Sequence, residues 1–189
     1  MEIFRADQDI RYNAVIDYWT SVGDFHAEGF KRAVEQLLRR TLDDTDDTLF
    51  DRDTLILPIL ALFRHYLELR FKEIIVLGDG LGGGPVRLPL GHDLRQLWER
   101  CRPICEDVLS SDLAHQLDLV GRCVDEFVTL DPKCENFRYP YDKKGKRPTQ
   151  HLVVGLKNLA DVVEKVSTLL DGVSMDISVR LQNSPQRRA

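Results

Sequence analysis

The stretch Ile59-Leu60-Ala61-Leu62-Phe63-Arg64-His65-Tyr66-Leu67-Glu68-Leu69-Arg70-Phe71-Lys72-Glu73-Ile74-Ile75-Val76-Leu77 follows Pro58 and decides the fold. Its apolar residues Ile59, Leu62, Phe63, Tyr66, Leu67, Phe71, Ile74 and Ile75 recur at three and four, the period of an α-helix. Leu60 widens the apolar surface beyond one stripe, as a helix with neighbours on several sides requires. The spacing predicts a central helix from about Pro58 to Leu77. Asp53 or Thr54 would cap it, Pro58 would sit in its first turn, and Gly78 would stop it. Gly78 to Pro89 then reads as a flexible loop.

The same period extends on both sides. Phe25, Phe30, Ala33, Val34, Leu37 and Leu38 predict an earlier amphipathic helix. After the loop, Leu94, Leu97, Trp98, Cys101, Ile104 and Val108 predict a helix starting at Asp93. Ser110-Ser111 offers the cap for a fourth, with Leu113, Leu117, Val120, Cys123 or Val124, Phe127 and Leu130 inward and Asp131-Pro132 as its end. Leu152, Leu156, Leu159, Val163, Val166 and Leu170 form the seam of a last helix. Strand-like alternation is confined to residues 10–19 and 173–181. The expected fold is all-α, a bundle of four to five helices. Residues 1–50 form an N-terminal extension with one helix packing on the bundle, residues 51–172 the bundle, and residues 173–189 a partly disordered tail.

Composition sets outer limits. A chain of 189 residues with 43% hydrophobic and 30% charged residues is long enough for a real core. Its net charge of −5 argues against a protein that coats nucleic acid over its whole surface, though not against a local basic patch. No stretch approaches the roughly 20 apolar residues of a membrane span, and Met1 to Asp7 carries no apolar run of a secretory signal. Four cysteines in such a chain read as reduced thiols, so a cytoplasmic protein without membrane partners is expected.

Several motif matches carry little chemistry. Gly78-Asp79-Gly80-Leu81-Gly82-Gly83 fits G-x-G-x-x-G, but prolines follow where a dinucleotide site needs a helix start. Cys101 and Cys123 fall on apolar stripes, which makes buried thiols a better reading than zinc ligands. The acidic run from Asp43 to Asp53 lacks the glycine and closing glutamate of a calcium loop. No cofactor or metal is implied. Arg64, Glu68 and Lys72 follow one another at four-residue steps. They form either a solvated ion-pair face or one wall of a cleft shared with His92 and Arg138.

Two polar signatures stand outside the apolar stripes. These are Gly91-His92-Asp93-Leu94 and Phe137-Arg138-Tyr139-Pro140-Tyr141-Asp142-Lys143-Lys144-Gly145. Taken with Leu62 to Lys72, their order and spacing resemble the HEPN superfamily of prokaryotic helical domains, over roughly residues 54–170. The resemblance implies a dimeric helical bundle that binds RNA, a nucleotide or a protein partner, in a bacterial defence or toxin–antitoxin setting. It also implies an Arg-x₄₋₆-His ribonuclease motif in many members. Here Arg87 and His92 match that spacing inside a Pro/Gly loop. Arg147 and His151 stand at the expected start of the last helix, with three residues between them.

A binding module without catalysis is therefore the expectation. A metal-independent endoribonuclease using Arg147 and His151 across a dimer is the alternative. Histidine with arginine supplies the near-neutral acid or base and the cation that 2′-OH attack requires. The expected ligand-binding set is Arg64, His92, Arg138, Tyr139, Lys143, Lys144 and Lys146. Its lysines would contact phosphate and its tyrosine would stack on a base.

Overall fold

The computed structural model describes residues 8–9, 11, 14, 25–43, 49–84, 87–141, 144–145 and 152–183. The chain is an all-α bundle of α1 (Phe25–Leu42), α2 (Leu49–Leu81), α3 (Leu94–Val108), the single turn α4 (Ser111–Ala114), α5 (Leu117–Leu130) and α6 (Leu156–Asn183). No strand occurs among the described residues, and none of their helices is long and apolar enough to cross a membrane.

Helix α2 is the axis, packed against α1, α3 and α6, while α5 packs on α3. Ile59, Phe63, Tyr66, Leu67, Phe71, Ile74 and Ile75 are each at most 1% exposed. Burial of this kind is the main stabilising term of such a fold. Aromatic contacts link the layers: Phe63 lies 5.9 Å from Phe127 of α5, and Phe71 lies 5.2 Å from Trp98 of α3. Polar groups on α2 are buried as well. The Tyr66 hydroxyl donates to Asp171 Oδ1 of α6 at 2.7 Å, and Lys31 Nζ of α1 donates to Asp171 Oδ2 at 2.6 Å. Arg70 pairs with Asp171 at 2.9 Å and with Glu73 at 2.7 Å, while the Ser174 hydroxyl donates to Glu73 at 2.8 Å.

Four sequence expectations require correction. Helix α2 starts at Leu49, so Pro58 lies well inside it rather than in its first turn. Pro58 is exposed, so its ring, which has no N–H to give the helix ladder, stands on the outer side of α2. Gly78 does not stop the helix. An ideal Cβ there would meet Ile104 Cγ2 of α3 at 2.7 Å, so the glycine admits a close crossing.

The predicted fourth helix is broken at His115-Gln116. Tight i→i+3 bonds, Gln116 N to Leu113 O at 2.9 Å and Asp118 N to His115 O at 3.2 Å, overwind the chain there. Leu113 is consequently turned off the stripe and is 40% exposed. Finally, residues 173–181 are neither strand nor tail, because Val173, Ser174 and Ile177 are buried within α6. Val166, Leu170, Val173 and Ile177 continue one helical stripe. The other half of the alternation, Met175 and Val179, faces solvent. Leu152 precedes α6 and is half-exposed. The alternation expected over residues 10–19, apart from residues 11 and 14, and the tail beyond residue 183 lie outside the described residues.

Candidate functional site

The Arg64, Glu68 and Lys72 face of α2 is not solvated. Arg64 is 1% and Glu68 2% exposed at the side chain, and only Lys72 reaches the edge. Burying charges at this depth requires compensation, and two loops supply it.

The first is the turn before α3. Gly91 adopts φ +90°, a conformation open to glycine and strained for other residues. Asp93 caps α3, accepting from the Arg95 and Gln96 amides at 3.0 and 3.1 Å. Between them, His92 is laid against α2. Its ring Nδ1 lies 2.7 Å from Glu68 Oε1, and its backbone carbonyl accepts from Arg64 Nη2 at 3.3 Å. The ring remains 74% exposed. Lys72 Nζ donates to the same Glu68 oxygen at 2.8 Å.

The second is the segment after α5. Asp131 is buried, and its Oδ1 accepts from the Glu135 and Asn136 amides at 2.7 and 2.9 Å. Its Oδ2 faces Arg64 Nε at 3.7 Å. Arg64 Nε and Nη1 and Glu68 Oε2 have no hydrogen-bond partner, so Arg64 is held by charge between two carboxylates more than by directed bonds. Cys134 takes φ +58°, and its carbonyl accepts both Nε and Nη2 of Arg138. Phe137 is buried edge-on against Phe127, while Tyr139 is 56% exposed beneath the Arg138 guanidinium.

Electrostatics join the two loops. His65, half-buried with its ring edge on Phe30, is held below the ordinary imidazole value by burial. The charges of Glu68, Lys72 and Arg138 all reach it. Burial works to raise Glu68, but hydrogen bonds from Lys72 and His92 outweigh it and hold the carboxyl below its usual range.

The structure thus brings Arg64, His92 and Arg138 of the expected set to one place, with Tyr139 on the rim. Arg64 lies beneath the surface and positions its neighbours rather than offering itself to a ligand. Lys144 is exposed in a turn with Gly145. Lys143, Lys146, Arg147 and His151 lie outside the described residues. Sequence reasoning treated Asp131 as a helix stop and did not place Cys134 or His65 at the site. The one available signal was Asp131 following an apolar stripe directly.

Two apolar hollows lie elsewhere, one of about 280 Å³ between α5 and the start of α6, the other of about 690 Å³ between α3–α4 and α6. Neither is lined by His92 or Arg138. Among the described residues no group of three His, Cys, Asp or Glu side chains is placed to hold a metal ion. Cys101 and Cys105 are buried, their sulfurs 3.7 Å apart. Compared with known proteins, the chain matches no family model, no curated protein and no solved structure.

Proposed function

We propose that this chain is a HEPN-like helical module that binds a phosphate-bearing ligand, RNA or a nucleotide, at the rim formed by His92, Lys72 and the Arg138-Tyr139 loop. One observation carries the reading. An exposed imidazole is fixed on a buried ion network in which Arg64 and Lys72 balance the carboxylates Glu68 and Asp131, and the exposed Arg138 is bonded to the neighbouring Cys134 carbonyl. Arg138 thus adds an exposed guanidinium to the rim in a chain of net charge −5, and Tyr139 adds an exposed ring for stacking. The adjoining run Lys143, Lys144, Lys146 and Arg147 is the densest cationic stretch of the sequence.

Anisotropy of a labelled single-stranded oligoribonucleotide tests it. Affinity is expected to fall with salt at a log–log slope of roughly −0.7 per neutralised phosphate. Lys143→Glu with Lys144→Glu should weaken binding and flatten that slope. Binding indifferent to salt, or none at low ionic strength, overturns the reading in favour of a protein–protein module.

A second reading, metal-independent RNA cleavage, draws on the same imidazole. A histidine oriented by a carboxylate beside cations has the parts of an acid–base site. Cleavage abolished by His92→Ala would place it here, and cleavage abolished only by His151→Ala would place it at the Arg147 and His151 pair.

A further inference from the structure

We infer that the Glu68–His92 pair makes capture of a phosphate oxyanion proton-linked, the ring binding the anion only after taking up a proton at Nε2. The inference rests on the reading that this rim binds phosphate.

An ionised carboxylate can only accept. Glu68 Oε1 already accepts from Lys72 and lies 2.7 Å from His92 Nδ1, so the bond between them requires the proton on Nδ1. A neutral imidazole has one N–H. Neutral His92 therefore presents Nε2 as a bare acceptor, and with the ring 74% exposed this is the nitrogen left to solvent. A phosphodiester oxygen is also an acceptor only, so the two repel. A proton on Nε2 reverses this, because the ring becomes a charged donor between Glu68 and the anion, the stronger kind of hydrogen bond.

The surrounding cations keep their charge from pH 6 to 8, so they add a constant background and the change with pH falls to His92. From α2, Arg64 lies beneath the surface, Lys72 gives one of its three N–H groups to Glu68, and His65 is turned onto Phe30. From the loop after α5, Asp131 faces Arg64, Cys134 is half-buried, and Arg138 gives Nε and Nη2 to the Cys134 carbonyl while its Nη1 stands outside those bonds. Within the turn itself, Asp93 is occupied capping α3.

The test is calorimetric titration between about pH 6 and 8, the range of histidine switching, in two buffers of different ionisation heat. One probe is an oligoribonucleotide whose phosphates are all diesters, and the other is a cyclic mononucleotide; neither changes charge over that range. Uptake of about one proton is expected, with affinity rising up to about tenfold per unit of falling pH. His92→Gln should abolish the uptake and flatten the profile. Glu68→Gln, which removes the negative charge behind the ring, should move the profile to lower pH. Both probes binding alike assigns a single-nucleotide ligand, and binding of the oligonucleotide alone assigns a strand.

Long-range ¹H–¹⁵N spectra of the free protein should show neutral His92 as the Nδ1–H tautomer. An Nε2–H tautomer, or proton uptake that survives His92→Gln, overturns the clasp while leaving phosphate binding in place. No binding of either probe at any pH overturns the phosphate reading and the clasp with it.

Discussion

Gly91 shows how a single backbone angle places a functional side chain. At φ +90° it turns the chain so that His92 meets Glu68 while Asp93 still caps α3. An added Cβ would meet nothing within 4 Å, so Gly91→Ala introduces no clash. Its cost is that of the backbone angle alone, about 1–2 kcal/mol, read in a denaturant midpoint. The variant should also broaden or shift the His92 ring resonances, and an unchanged midpoint with unchanged ring signals would refute this account. The Asp93 cap was readable in the sequence because a cap depends on its own next three residues. The contact of His92 with Glu68 was not, since it spans 24 residues and no local pattern says which polar side chain of α2 the turn will reach.

Helix boundaries were misread where a residue has two uses. Pro58 and Gly78 are punctuation in an isolated helix, yet both lie inside α2, one on its exposed side and the other at a crossing. The apolar spacing of α2 was a sound guide to its buried face. Spacing was less reliable in residues 173–179, where alternating Val, Ser, Met, Asp, Ile, Ser and Val satisfies both a strand and a helix stripe.

The Gly78 crossing can be tested. Gly78→Ala should gain about 1 kcal/mol of helix propensity and lose about 1–3 kcal/mol to overpacking against Ile104, leaving the protein less stable. With Ile104 cut to alanine the clash disappears, so the same change should then stabilise. Equal effects in both backgrounds would mean that the two helices do not meet there.

The bundle carries two buried ion networks on opposite faces of one helix. One joins α2 to the His92 turn and the segment after α5, the other joins α2 to α1 and α6. That polarity within an apolar core ties stability to pH. His65 is depressed below 6.5 by burial, so the folded protein holds fewer protons there than the unfolded chain. Its contribution is present above about 6.5 and is lost as pH falls through the folded value.

Glu68 and Glu28 follow. Burial works to raise both, but Lys72 and His92 in one case, and Lys31 and Arg32 in the other, hold them below 4.5. Their contribution is present above about 4.5 and is lost as pH falls through the folded values. On the alkaline side, burial works to lower Lys31, but Asp171 and Glu28 hold it above 10.5, so its contribution is lost only as pH rises through that raised value. The thermal midpoint should therefore stand on a plateau near neutrality and fall in two acid stages, the first absent in His65→Asn. A single acid transition in the native protein, unchanged by His65→Asn, would show that the half-buried imidazole on Phe30 does not contribute to folding.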